Sequence, residues 1–314
     1  MSRALGLLLG FAADRWLGDP RRFHPVAGFG QLAGRLETRL YSDSRAAGTA
    51  YAGALVGSVV AAGVVAERLT SGRPVVRTLL TAAATWAVVG GRSLEREAEV
   101  MAGFLEAKEL EAARGRLSYL CSRDATDLSA DELARATVES VAENTSDATV
   151  APLIWGGLFG IPGLIGYRAA NTLDAMVGYK SARYRNFGWA SARLDDLVNL
   201  GPARACAVLT GVVSGRLGES WRIWRRDAGG HPSPNAGPVE AAFAGALDLR
   251  LGGTNVYGAE VEDRGTLGDG LPPAVGDIRR TALLARRVSY AAAATAAILA
   301  VRPRRMREGV RAWG

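Results

Sequence analysis

Glu139, Glu143 and Asp147 recur at i, i+4 and i+8 in the stretch VESVAENTSD. On a helix that spacing sets three carboxylates on one face, where like charges repel by a few tenths of a kcal/mol per pair. No lysine or arginine between 136 and 167 relieves them, and Asn144 and Ser146 add neutral oxygens. An oxygen-only set of this kind suits Mg²⁺, which keeps water and bridges phosphates. Glu143, Asp147 and Asp174 are the candidate metal ligands, and Glu139, Glu143, Asp174 and Arg168 the candidate catalytic groups. A solvated helix face would explain the acidic spacing without chemistry. The second block, YRAANTLDAMVGYKSARYRNFGWASARLDDL, supplies Arg168, Asn171, Asp174, Tyr179, Arg183, Arg193, Asp195 and Asp196. Tyr167, Asn171 and Asp174 fall on one helical face, and arginines in such a block favour bidentate contact with phosphate or carboxylate. An intramembrane salt-bridge network is the alternative.

Two further stretches, HPSPNAG (231–237) and LGGTNVYG (251–258), resemble loops that present backbone N–H groups and asparagine amides to an anion. They bring His231, Asn235 and Asn255 into the set of candidate substrate-binding residues with Asn144, Asn171, Tyr179, Arg183, Arg193 and Asp195. No Walker or dinucleotide-type glycine loop occurs in the right context. The only histidines, His24 and His231, each precede proline, which biases both to extended backbone. Asp14 and Asp19, in DRWLGDPRRFHPV, read as a topological anchor. Cys121 and Cys206 have neither disulfide-type nor zinc-type spacing.

Between the two polar blocks lies a segment apolar enough for a bilayer, and it is one of several. Residues 46–66 carry no charge and reach the ~20 residues a spanning helix needs. Runs at 78–91, 148–166, 197–215 and 288–301 follow, punctuated by arginines. The 314 residues carry a net charge of +7, with arginines flanking apolar runs and not alternating with exposed aromatics. That is the positive-inside pattern and not a nucleic-acid footprint, so the arginine-rich tail after 301 is expected in the cytoplasm. Buried helices of a soluble all-α protein are the competing reading. A cleaved signal peptide is not expected, since Asp14-Arg15 follows the first short apolar run at once.

The expected fold is mainly α: a polytopic helical membrane protein forming a single domain over 1–314. Within it, 92–147 is expected as a soluble-facing amphipathic helical insertion, with Ser129-Ala-Asp-Glu132 as a capping box starting a helix at about 130. The stretches 227–238 and 252–278 read as long ordered loops.

In order along the chain, DRWLGDPRRFHPV, VESVAENTSD, YRAANTLDAMVGY, RYRNFGWASARLDDL, HPSPNAG and LGGTNVYG resemble the successive blocks of the cobinamide-phosphate synthase family of cobalamin biosynthesis (CobD/CbiB). The resemblance runs from about residue 5 to residue 284. Where that family usually has an aromatic-Pro-Glu, this chain has Pro238-Val239-Glu240. The resemblance implies a multi-pass protein of the cell membrane with a cytoplasm-facing site. It further implies ATP- and Mg²⁺-dependent amide bond formation between a propionate of adenosylcobyric acid and an aminopropanol phosphate. A non-catalytic membrane binder or transporter of an anionic or corrinoid ligand is the alternative from another class. The natural amino alcohol, the catalytic base and the oligomeric state stay open.

If 148–166 crossed the bilayer, the two polar blocks would face opposite sides and could share no site. Gly160-Ile161-Pro162-Gly163 is a turn signal, and Pro162 suits the first turn of a helix. The sequence therefore predicts a helical hairpin that enters partway and returns, bringing Asp147 and Arg168 together.

Overall fold

The computed structural model describes residues 1–19, 24–257 and 260–301, with side chains described except at 255–262. Among these residues the chain is almost entirely helical. It opens with α1 (Ser2–Leu17), α2 (Pro25–Leu40), α3 (Arg45–Leu69), α4 (Pro74–Val88), α5 (Gly91–Glu106) and α6 (Leu110–Leu117). Then come α7 (Ala130–Thr145), a π-turn (Ser146–Val150), α8 (Ala151–Phe159), α9 (Ile161–Val177), α10 (Tyr184–Phe187) and α11 (Trp189–Ser214). The chain continues through α12 (Leu217–Asp227), α13 (Ala236–Leu247), strands β1 (Leu251–Tyr257) and β2 (Glu260–Leu267), and α14 (Val275–Val301).

Among the described residues four runs are long and apolar enough to cross a membrane: Arg45–Leu69, Pro74–Glu106, Trp189–Ser214 and Val275–Val301. They overlap four of the five expected spans and make the protein a mainly α, polytopic membrane protein. The second run is broken at Val89-Gly90, where Gly90 N–H leaves the helix ladder and donates to Ala148 O at 3.0 Å. The fifth expected span, 148–166, is the hairpin. Gly160 ends α8 and begins α9 at φ 74°, a conformation that favours glycine, and Pro162 occupies the first turn of α9.

The tip of this hairpin is pinned by charge. Glu67 accepts hydrogen bonds from Ile161 N–H at 3.2 Å and from Arg77 at 3.2 Å, and at 3.5 Å from Arg3, which also donates to Leu158 O at 3.3 Å. The tip thus lies level with the charged ends of α1, α3 and α4, so the hairpin runs the full depth of those helices and does not stop partway. Its first arm is also longer than expected, because α7, the π-turn and α8 form one unbroken run.

The helices of the 92–147 segment pack into the body of the protein. Leu94, Met101 and Leu105 of α5 and Leu133 of α7 share one apolar core with Leu153 of the hairpin, Phe243 of α13 and Leu284 of α14. A smaller cluster joins Tyr51, Leu173, Val177 and Phe187. Ser129 and Glu132 form the expected capping box, Glu132 N–H donating to the Ser129 hydroxyl at 3.3 Å and Ser129 N–H to the Glu132 carboxylate at 2.9 Å.

The expected loop at 252–278 is instead largely a two-stranded antiparallel hairpin, Val256 opposite Val261, with a bulge at Gly252/Thr254. Glycine at 252, 253, 265 and 268, all at positive φ, hides the strand alternation in the sequence. Within 227–238, a 3-10 turn at Ala228–Gly230 precedes α13, which starts at Ala236.

The two ambiguous N-terminal groups have structural work. His24 caps α2, its Nδ1 accepting from Val26 N–H at 3.2 Å. Asp14, fully buried, accepts from Arg92 N–H at 3.2 Å at the start of α5, where the helix dipole favours a carboxylate.

Candidate active site

The hairpin brings the two acidic blocks together. A cavity of about 130 Å³ is lined by Glu143 of α7, Ser146 and Asp147 of the π-turn, Asp174 of α9, and Asp195, Asp196 and Asn199 of α11. Ser233, Asn235 and the start of α13 close it. Among the described residues, no arginine or lysine lines it.

Behind the cavity wall a chain of amides holds the carboxylates. Asn171 Nδ2 stands 3.4 Å from Asp147 and 3.3 Å from Asp195 as donor to both, and Asn199 donates to the other Asp195 oxygen at 3.0 Å. Asn199 in turn accepts from the Tyr167 hydroxyl at 2.9 Å, and Asn171 accepts from Arg168 at 3.1 Å. Asn235 is fixed at the opposite wall, donating to Asp196 O at 2.8 Å and accepting from Arg204 at 2.9 Å.

The acids raise one another's proton affinity. Asp174, outside the four candidate spans, is pushed up to about 7, first by burial and then by the charges of Asp195, Asp196 and Glu143. Asp147 is raised well above the carboxylate range, again by burial first and Asp195 next. Buried carboxylates crowded together in this way are an unstable arrangement unless a proton or a cation joins them.

Several expected site residues stand elsewhere. Successive i+4 steps rotate about 40° on an α-helix, so Glu139 is turned away from Asp147 and does not line the cavity. It is buried in an ion pair with Arg123 at 2.6 Å and accepts from Gly252 N–H at 2.8 Å. Asn144 donates to Ser140 O at 2.9 Å on its own helix.

The Arg168 guanidinium does not face the cavity: it donates to Val88 O, Asp147 O and Ala148 O. Arg193 lies exposed at the rim, 3.4 Å from Asp196. Arg183 belongs to another cluster, paired with Glu37 at 2.7 Å and stacked 4.2 Å from the Tyr41 ring centroid. Tyr179 is exposed.

His231 is buried with its Nδ1 accepting from Ser233 N–H at 3.0 Å and its Nε2 3.6 Å from Glu240. Asn255 pairs in β1 with Glu262, and its side chain lies outside the described residues.

Sequence reasoning missed Asn199 and Glu240. Asn199 lies four residues after Asp195 in an apolar helix, a polar pair at helical spacing that could have flagged it. Glu240 is fully buried in α13, 3.4 Å from Arg264, and burial together with Glu139 raises its carboxyl well above the usual range. It sits in the Pro-Val-Glu stretch noted in the sequence.

Among the described residues no three His, Cys, Asp or Glu side chains form a ready metal-binding group. The donors around the cavity are nevertheless all oxygen. They fit a Mg²⁺ held by one or two carboxylates, with waters and ligand oxygens completing its shell. Glu143, Asp147, Asp174, Asp195 and Asp196 supply the carboxylates of that lining.

Residues 7–285 match the CobD/Cbib protein family. Two Mycobacterium tuberculosis strains each have a Cobalamin biosynthesis protein CobD that is 52% identical over 309 residues, covering 96% of this chain and 97% of that protein. The protein of the same name from Chromobacterium violaceum is 41% identical over 292 residues, with 91% and 93% covered. That from Rhodobacter capsulatus is 39% identical over 297 residues, with 91% and 94% covered. No solved structure matches the chain. With its polytopic helical fold and these matches over nearly its whole length, the chain belongs to the CobD/CbiB family of cobalamin biosynthesis.

Proposed function

We propose that the protein is an ATP- and Mg²⁺-dependent amide synthase joining a propionate of adenosylcobyric acid to an aminopropanol phosphate, giving adenosylcobinamide phosphate. The observation that carries this reading is the cavity with five carboxylates and, among the described residues, no basic residue in its lining. A phosphate would be repelled there unless a divalent cation came with it, which matches a nucleotide-dependent reaction better than simple anion binding.

A carboxylate does not condense with an amine near neutral pH, so it is first activated. Its oxygen attacks the γ-phosphorus of ATP, ADP leaves, and an acyl phosphate forms. The amine nitrogen then attacks the acyl carbon, phosphate leaves, and the ammonium proton passes to a base. Bound Mg²⁺ would supply charge neutralisation for the transferring phosphoryl group. Glu143, Asp147 and Asp174 would hold it, with Asn171 and Asn199 fixing the direction of Asp147 and Asp195. Arg193 at the rim is placed to read the amine substrate's phosphate.

Purified protein incubated with adenosylcobyric acid, aminopropanol phosphate, ATP and Mg²⁺ should form adenosylcobinamide phosphate and ADP in equal amounts. Corrinoid binding with no product under those conditions would replace this reading with that of a binder or transporter.

A further inference from the structure

A cavity of about 1200 Å³ runs beside the hairpin, between α3, α8, α9, α11 and the end of α14. Its walls are apolar: Val56, Val60 and Val64 of α3 face Trp155 and Phe159 of α8 and Leu299 of α14. One end is basic, with Arg3, Arg68 and Arg77 around a single acid, Glu67. Glu67 already serves Arg3 and Arg77. Arg68 is exposed and enters no ion pair among the described residues.

This end also carries large exposed apolar side chains, Leu69 at 74%, Val75 at 69% and Ile298 at 66%. They stand on helices long and apolar enough to lie in a bilayer.

We propose that this groove binds an anionic phospholipid, its phosphate at Arg68 and Arg77 and its acyl chains along the α3–α8 walls. The polarity of the groove, basic at one end and aliphatic along its length, reproduces that of the lipid. Basic pockets between membrane helices recognise anionic head groups in this way. A corrinoid fits the walls poorly, because its amide-rich periphery would lose its hydrogen bonds against valine and leucine. The groove and the acidic cavity share only a partition: Tyr167 lines the first, and its hydroxyl bonds to Asn199, which lines the second.

Trp155 gives the readout. It lines the groove, stacks on Phe159 at 5.4 Å and donates to Val198 O at 2.9 Å. Full-length protein in neutral detergent is titrated with phosphatidylglycerol or phosphatidylcholine brominated along the acyl chains. The Trp155 contribution is taken as the difference between native protein and Trp155→Phe. Phosphatidylglycerol should quench it at about fivefold lower mole fraction than phosphatidylcholine, and Arg68→Gln should abolish that preference. Equal quenching by the two lipids, or a preference untouched in Arg68→Gln, would overturn the proposal. So would displacement of the brominated lipid by adenosylcobyric acid, which would assign the groove to the substrate.

Discussion

Arg168 meets Asp147 at its main-chain carbonyl, 3.3 Å away, and not at its carboxylate. The same guanidinium donates to Ala148 O at 3.4 Å and to Val88 O at the end of α4. A π-turn displaces carbonyls from the regular ladder, and such turns are frequent at functional sites. Here one arginine gathers the carbonyls of the π-turn and of the α4 terminus, and so fixes where the Asp147 side chain emerges. The Arg168 guanidinium is thereby directed at carbonyls and not at the cavity carboxylates.

Arg168→Lys should therefore lower stability and turnover together. A single ammonium cannot reach α4, the π-turn and Asn171 at once, and each buried carbonyl left without a donor costs about 1–3 kcal/mol. Thermal unfolding in detergent, measured beside the rate, checks this. Unchanged unfolding with lost turnover would mean that Arg168 contacts substrate instead.

Alanine at Glu143 or at Asp174 should abolish turnover and leave the fold intact, since both side chains line a cavity. Product formation and Mg²⁺ dependence in each variant decide it. Near-native rates in both would remove the acidic cavity from the mechanism.

Glu139→Ala should behave in the opposite way. It removes the carboxylate that pairs with Arg123 at 2.6 Å, where the arginine side chain is 4% exposed, and breaking a buried pair costs about 3–5 kcal/mol. The expected result is a large drop in unfolding temperature. Full stability with lost activity would return Glu139 to the catalytic set where the sequence had put it.

Asp174 gives a signed pH dependence. Its carboxyl is raised from 3.8 to about 7 in the fold, so between those values the folded protein holds a proton that the unfolded chain releases. Stability from this group is complete below pH 4, falls as pH rises, and is lost above 7. At pH 8 Asp174→Asn should thus be more stable than the native protein by at least about 1 kcal/mol, because each tenfold change in proton affinity is worth ~1.4 kcal/mol. Unfolding temperatures measured across the pH range should show that gap closing towards pH 4. A gap independent of pH would show that Asp174 does not titrate in this range.

The hairpin was legible because its signals are local: a Gly-Ile-Pro-Gly turn between two polar blocks, and a helix spacing that marked Glu143, Asp147 and Asp174. The arginines were misread because sequence gives their number and not their direction. Arg168 turns to carbonyls, Arg183 to Glu37, and only Arg193 stays at the rim. Asn199 stands four residues after Asp195, a polar pair at helical spacing, but its role shows only once the structure sets its amide against that carboxylate. The β-hairpin at 251–267 was hidden by glycines that the bulge and turns require.

Two topological expectations separate on this fold. Thr149 and Ser289 both lie close to Gly91, whereas Gly157 packs against Ala296 and Leu299. Thus α8 and α14 run in the same direction, and Val301 ends beside the hairpin tip, while Asp147 and Asp174 lie ~20 Å back at 1.5 Å per residue. A cytoplasmic tail after 301 and a cytoplasmic acidic cavity therefore belong to opposite ends of the helical layer, and only one can hold. Single cysteines at Ser71, exposed near the tip, and at Lys180, exposed beyond the cavity end of α9, placed in a chain lacking Cys121 and Cys206, separate the cases. A membrane-impermeant thiol reagent added to intact cells should label one position and spare the other. Because ATP is cytoplasmic, Lys180→Cys should be the protected one. Protection of Ser71→Cys instead would put the cavity outside and sink the ATP-dependent mechanism, and labelling of both would refute the transmembrane arrangement of α3 and α14.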